Sequence, residues 1–173
     1  LRQQALELCE QQWGPEHINT ALMRLFVANS YIDLDQPERA LSLVEQVLPL
    51  FEKSLDKESP SGALPLLIKG EALQRLGRSD EALPLLEHIL HVLERRPERP
   101  EYTAEVRFTL AQALWDTGKE EARALRLANA AHGVLSRMPL FYKKELAELE
   151  ALLKRHAPPS PEPPAPSASM PPP

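Results

Sequence analysis

The stretch from Gly70 to Leu93, GEALQRLGRSDEALPLLEHILHVL, decides the fold. It predicts two amphipathic helices joined by a tight turn, Leu76-Gly77-Arg78-Ser79. Both arms are built from Leu, Ala, Glu, Gln and Arg, which lose little side-chain freedom in a helix. Its restricted positions recur on either side. Ala40, Ala82 and Ala124 are spaced by 42 residues, as are Val44, Leu86 and Ala128, and as are Ala5, Val47, Ile89 and Ala131. On the preceding helices Ala28, Gly70 and Ala111 follow at intervals of 42 and 41, with Tyr31, Leu73 and Leu114 three residues after each. The missing residue returns in the turn, where GKEEARA is one longer than GRSDEA. A period of this length is the mark of a stacked helical repeat.

The restricted positions have a physical reason. Antiparallel helices come close only where small residues let their backbones approach, which accounts for Ala28, Gly70 and Ala111 on one helix and Ala40, Ala82 and Ala124 on the other. Larger neighbours then pack as ridges into grooves. Each pair keeps a bare apolar face that only the next pair covers.

From the N-terminus, Leu1 to Trp13 is the second helix of a truncated repeat, which predicts that a longer polypeptide precedes it. Gly14-Pro15-Glu16-His17 breaks the chain, and Ile18 to Leu34 is a first helix. Asp35 is placed to cap the next helix and Pro37 suits its first turn; that helix runs to about Leu55, with a kink expected at Pro49. Ser59-Pro60 opens a helix ending near Leu76, and its partner runs from about Asp80 to Arg95. After the breaker Arg96 to Pro100, the last pair spans roughly Glu101 to Thr117 and Glu120 to Arg137. The three repeats thus occupy 14–138. Residues 139–156 hold a further amphipathic helix, with Leu146, Leu149, Leu152 and Leu153 on one face, suited to capping the array. Residues 157–173 carry nine of the eighteen prolines and predict a disordered, extended tail.

The composition narrows the function. No Val/Ile/Thr-rich alternating run proposes a strand, so the class is all-α. The net charge is -5, against the basic face expected of a nucleic-acid binder. No apolar run is long enough for a membrane span. A single cysteine, Cys9, leaves no internal disulfide framework and fits a cytoplasmic setting.

The small residue, the Tyr or Leu three later, the turn, and the Ala with a large residue four later resemble the tetratricopeptide repeat (TPR). The segment GPEHINTALMRLFVANSYIDLDQPERALSLVEQVL is similar to the roughly 42-residue kinesin-light-chain type, and Gly14 to His17 match its linker. FTLAQALWDTGKEEARALRLANAA with KELAELEALLKRH looks like the end of the repeat array in large bacterial serine/threonine kinases, where a kinase domain precedes the repeats. The resemblance implies a right-handed α-solenoid and a non-catalytic protein-interaction module. Its alternative implication is a regulatory or substrate-docking segment of such a kinase. It also implies that first helices line a concave groove for a partner peptide or helix. The matching positions are Leu22, Leu25, Asn29, Ile32 and Asp33; then Leu64, Leu67, Glu71, Gln74 and Arg75; then Glu105, Phe108, Gln112, Trp115 and Asp116. Asn29 stands where chaperone-binding members hold a C-terminal carboxylate, but the lysine they need one turn earlier is Leu25, so that clamp is not expected.

Other candidates favour plainer readings. His88 and His91, three apart, lack further ligands for a metal, and no metal or cofactor is expected. Cys9 reads as a small buried hydrophobe, and Glu145, Glu148 and Glu150, interleaved with Lys143, Lys144 and Lys154, as a solvated face. Trp115 is divided between core packing and a groove anchor. Pro158 to Pro161 and Pro163 to Pro166 have PxxP spacing, but any proline-rich stretch produces it. No phosphate-binding loop, kinase motif, nucleophile elbow or HExxH occurs, so this segment is expected to be non-catalytic. The expected partner is a protein or peptide and the expected state a monomer. The uncovered face of Leu1 to Trp13 is the place where self-association would begin.

Overall fold

The computed structural model describes residues 2–54, 60–95 and 100–157. Among them there are eight helices and no strand: α1 (Arg2–Trp13), α2 (Ile18–Asp33), α3 (Pro37–Ser54), α4 (Pro60–Arg75), α5 (Ser79–Arg95), α6 (Pro100–Asp116), α7 (Glu121–Leu135) and α8 (Lys143–Arg155). Consecutive helices pack on one another along the whole chain, and α4 also packs on α2 and α6. This puts α2, α4 and α6 in one row and α3, α5 and α7 in a second, the layout of an all-α solenoid of antiparallel pairs. α1 ends at Trp13 and α2 begins at Ile18, either side of the Gly14–His17 break, and α2 ends at Asp33, one residue before the expected Leu34. α3 continues as one helix through Pro49 to Ser54. The PxxP spacings and Arg96 to Arg99 lie outside the described residues.

The core follows the period. Ala28, Ala111, Ala40, Ala82 and Ala124 have no exposed surface, nor do Val44, Leu86 and Ala128. At Gly70 a Cβ would lie 2.8 Å from Leu86 Cδ2 and 3.0 Å from its Cγ, so α4 and α5 touch through a missing side chain. The register pairs Ala28 with Val44, Gly70 with Leu86 and Ala111 with Ala128. The smallest residue of one row meets the largest of the other, which keeps the local volume near that of a close-packed interior.

The turns repeat as faithfully as the helices. Arg78 N–H donates to the Leu73 carbonyl at 2.9 Å and Gly77 N–H to that of Gln74 at 3.0 Å. Lys119 and Gly118 do the same to Leu114 and Trp115, and Gln36 and Asp35 to Tyr31 and Ile32. These are Schellman turns, which need a left-handed residue after the helix. Gly77 and Gly118 supply it at φ 71° and 64°, and Asp35 is held there at φ 56°. The expectation that Asp35 caps α3 is therefore corrected: it ends α2 in a conformation that glycine prefers.

A side chain in this region costs roughly 1 kcal/mol. The only ion pair Asp35 makes among the described residues reaches Arg75 at 3.9 Å from a side chain 87% exposed, and such a pair contributes little. Asp35→Gly is therefore expected to raise the melting temperature by about 2–4 °C. A circular-dichroism melt checks this; an unchanged or lower midpoint would show that the carboxylate outweighs the backbone.

Cys9 is half-buried rather than buried, on a helix that packs chiefly on α2. Leu8 and Trp13 stay exposed on the same helix.

Candidate functional site: the first-helix row and the helix across it

The candidate positions separate into three environments. Leu25, Ile32, Leu67 and Phe108 are buried in the core, and Leu22 and Leu64 pack half-buried against it. Asn29, Asp33, Glu71, Arg75, Phe108 and Gln112 line one cleft of about 340 Å³, together with Glu105. Gln74, Gln112, Trp115 and Asp116 line a second of about 440 Å³, at the adjoining end of α6. Several positions predicted for one groove are thus brought together, while Leu25 and Leu67 face inward.

Both clefts have a wall that the repeat pattern did not anticipate. The helix read as a cap does pack on α7, burying Leu146 and Leu149. It also runs across the row of α2, α4 and α6. Its N-terminal end reaches the first repeat, where Lys144 Nζ donates to the Asp33 carbonyl at 3.0 Å across 111 residues of sequence. In the middle, Gln112 Nε2 donates to Glu148 Oε1 at 2.7 Å, and Arg75 lies 3.9 Å from Glu148 Oε2. At its C-terminal end His156 stacks on Trp115, ring centroids 4.3 Å apart and planes within 10°. Glu148, read as part of a solvated face, instead points into the row. Tyr142, Glu145 and Glu148 line the first cleft, and Leu152, Arg155 and His156 the second.

Some candidate side chains are committed to neighbours. Asp116 Oδ2 accepts from Gln74 Nε2 and Ser79 Oγ, each at 2.9 Å, linking the second and third repeats. Arg75 contacts Glu71 at 3.4 Å as well as Asp35 and Glu148. Among the described residues, Arg75 Nε and Trp115 Nε1 are buried with no hydrogen-bond partner. Trp115 itself is half-buried, resting against α8 by its stack with His156.

The first cleft is rich in carboxylates. Burial pushes the Glu105 carboxyl up to about 7, with further upward push from Glu71, Glu145 and Glu101, against a hydrogen bond from Tyr142. Glu71 is also raised, chiefly by burial, with Arg75 opposing. The Tyr142 hydroxyl is held protonated, first by burial and then by Glu105. This is a cleft in which negative charge is poorly solvated and one guanidinium carries much of the compensation.

The remaining candidates are elsewhere. His88 and His91 are on α5, and among the described residues no three His, Cys, Asp or Glu side chains form a metal-binding group. Among the same residues no helix is long and apolar enough to cross a membrane. Glu87 on α5 is paired with Arg123 on α7 at 2.6 and 2.7 Å, a contact between second-row helices.

The architecture has counterparts among solved structures. The chain is similar to the nearly identical TPR-like repeats of a kinesin light chain from Podosopora anserina, at 20% identity and a TM-score of 0.62. The match covers 90% of this chain and 83% of that one. A single-substitution variant of those repeats matches equally well, covering 82% of its chain. The chain matches no family model and no curated protein. The fold is that of a TPR-like α-solenoid.

Proposed function

We propose that the chain is a non-catalytic protein–protein interaction module whose concave row, α2, α4 and α6, binds an amphipathic helix of a partner protein. The observation that carries this reading is α8 itself. A helix already bridges that row by side-chain contacts, with its leucines set against α7 and a glutamate between Gln112 and Arg75. A row bridged by one helix suits a helical ligand, the helix-in-groove mode of recognition. The floor is preformed by stacked repeats, so little ordering is required on this side of the interface. The kinesin-light-chain similarity lends support through the fold alone.

Selection of helical peptides from a display library provides ligands for the test. Arg75→Ala combined with Trp115→Ala is expected to weaken the selected peptides at least tenfold, because Trp and Arg supply a disproportionate share of interface energy. Helicity should stay unchanged, since neither side chain is among the fully buried core residues. Unchanged affinity in the double variant would move the binding surface to the other row or away from the repeats.

A further inference from the structure

We infer that α8 is a tethered occupant of the partner groove, and that a partner helix binds by displacing it. This rests on the groove reading above and specifies its ligand: an amphipathic helix with leucines three apart and hydrogen-bond acceptors facing Arg75 and Trp115.

Three observations support displacement. The first is the modest hold. Only Leu146 and Leu149 of α8 are buried, whereas α6 buries ten residues, Thr103 to Leu114 among them. The second is the nature of the other contacts. Lys144 to Asp33 and His156 to Glu121 are exposed contacts, and only Glu148 to Gln112 and the His156–Trp115 stack are partly buried. Such contacts re-form with water or with another helix at small cost. The third is the imperfect fit. Beside α8, Arg75 Nε and Trp115 Nε1 are buried without acceptors, and each unsatisfied donor carries a desolvation penalty. A helix placing a carboxylate or amide there fits the groove better than α8 does.

The tether explains how a poor fit stays bound. A segment joined to α7 by a few residues sees its site at a high effective concentration, so a weak helix closes the groove without strong contacts. A free ligand must overcome that closure, which lowers its apparent affinity by the open fraction. Because the α8 helix is short, the isolated segment also bears its ordering cost and should bind weakly.

The test uses a fluorescently labelled peptide of residues Phe141–His156 and the full chain. Leu149→Asp places a charge at a position with no exposed surface and should undock α8. Anisotropy titration is expected to show at least tenfold tighter peptide binding to Leu149→Asp than to the unaltered chain. Adding Arg75→Ala to Leu149→Asp should remove that gain. If Leu149→Asp loses more helix by circular dichroism than α8 contains, Glu148→Ala with Lys144→Ala, which leaves the leucines in place, is read instead; a smaller gain in the same direction is expected. Equal binding to all chains, or no binding to any, overturns the displacement proposal. If the α8 peptide fails while library-selected peptides still bind and lose affinity on Arg75→Ala with Trp115→Ala, the groove reading survives alone. If neither binds, both fall.

Discussion

Replacing Gly70 with leucine is expected to cause the largest loss of stability of any single substitution discussed for this chain. Even a Cβ at this position would stand 2.8 Å from Leu86 Cδ2, and Leu86 has no exposed surface into which to retreat. Overfilling a packed core typically costs about 1–3 kcal/mol, and leucine brings three carbons beyond the one that already clashes. The cost should therefore reach or exceed the top of that range, a large share of the roughly 5–15 kcal/mol that holds an ordinary domain. A melting midpoint lowered by about 10 °C or more is the expected readout.

Gly70→Ala is a milder form of the same experiment with a sharper control. Alanine gains roughly 1 kcal/mol over glycine in a helix, against an overpacking cost of similar or larger size. The net effect should be a loss. Combining it with Leu86→Val recreates the Ala28–Val44 pairing of the first repeat and should recover most of that loss. Additive effects in the double-mutant cycle would show that the two residues do not share one space.

The second large effect concerns the carboxylate cleft. Glu105 on α6 faces Glu71 and Arg75 on α4, Tyr142 just before α8, and Glu145 and Glu148 on α8, with Glu101 on its own helix. Its carboxyl is raised to about 7 from an ordinary 4.5, so the folded chain holds this proton more tightly than the unfolded chain. Between those values stability must fall as pH rises, and the loss is complete above about 7. Every tenfold difference in proton affinity between the folded and unfolded chain is worth about 1.4 kcal/mol, so the upper bound is on the order of 3 kcal/mol, reduced wherever the cleft opens to water. Melting midpoints should therefore rise as pH falls from 8 towards 5. Glu105→Gln should stabilise the chain at pH 8 and flatten the profile. A variant whose profile still runs parallel to that of the unaltered chain would assign the pH dependence to other groups.

The solenoid was legible because its packing is local and periodic. Small residues at Ala28, Gly70 and Ala111 recur where helices touch, and a 42-residue register is read directly from the letters. Asp35 shows where local reasoning misdirects. Read alone, an aspartate before Pro37 suggests an N-cap; read in register with Gly77 and Gly118, it occupies a left-handed turn position. That signal was present in the spacing.

The placement of α8 was not present in it. An amphipathic helix after a solenoid is expected to cover the last pair, and Leu146 and Leu149 do so. Nothing in the spacing says that the same helix crosses the concave row, because the deciding contacts join residues such as Lys144 and Asp33, 111 positions apart. For the same reason Glu148 and His156 escaped notice as groove residues. Leu25 and Leu67 show the converse difficulty. Alignment to a repeat assigns them to the concave helices, but only packing reveals that they turn inward.

Amide hydrogen exchange of the full chain, with and without a selected peptide, tests the central claim most directly. Binding in the concave row should slow exchange in α2, α4 and α6 and leave α3 and α5 unchanged, while α8, once displaced, exchanges faster. Slowing confined to α3, α5 and α7, with α8 unaffected, would contradict the account by placing the partner on the opposite row.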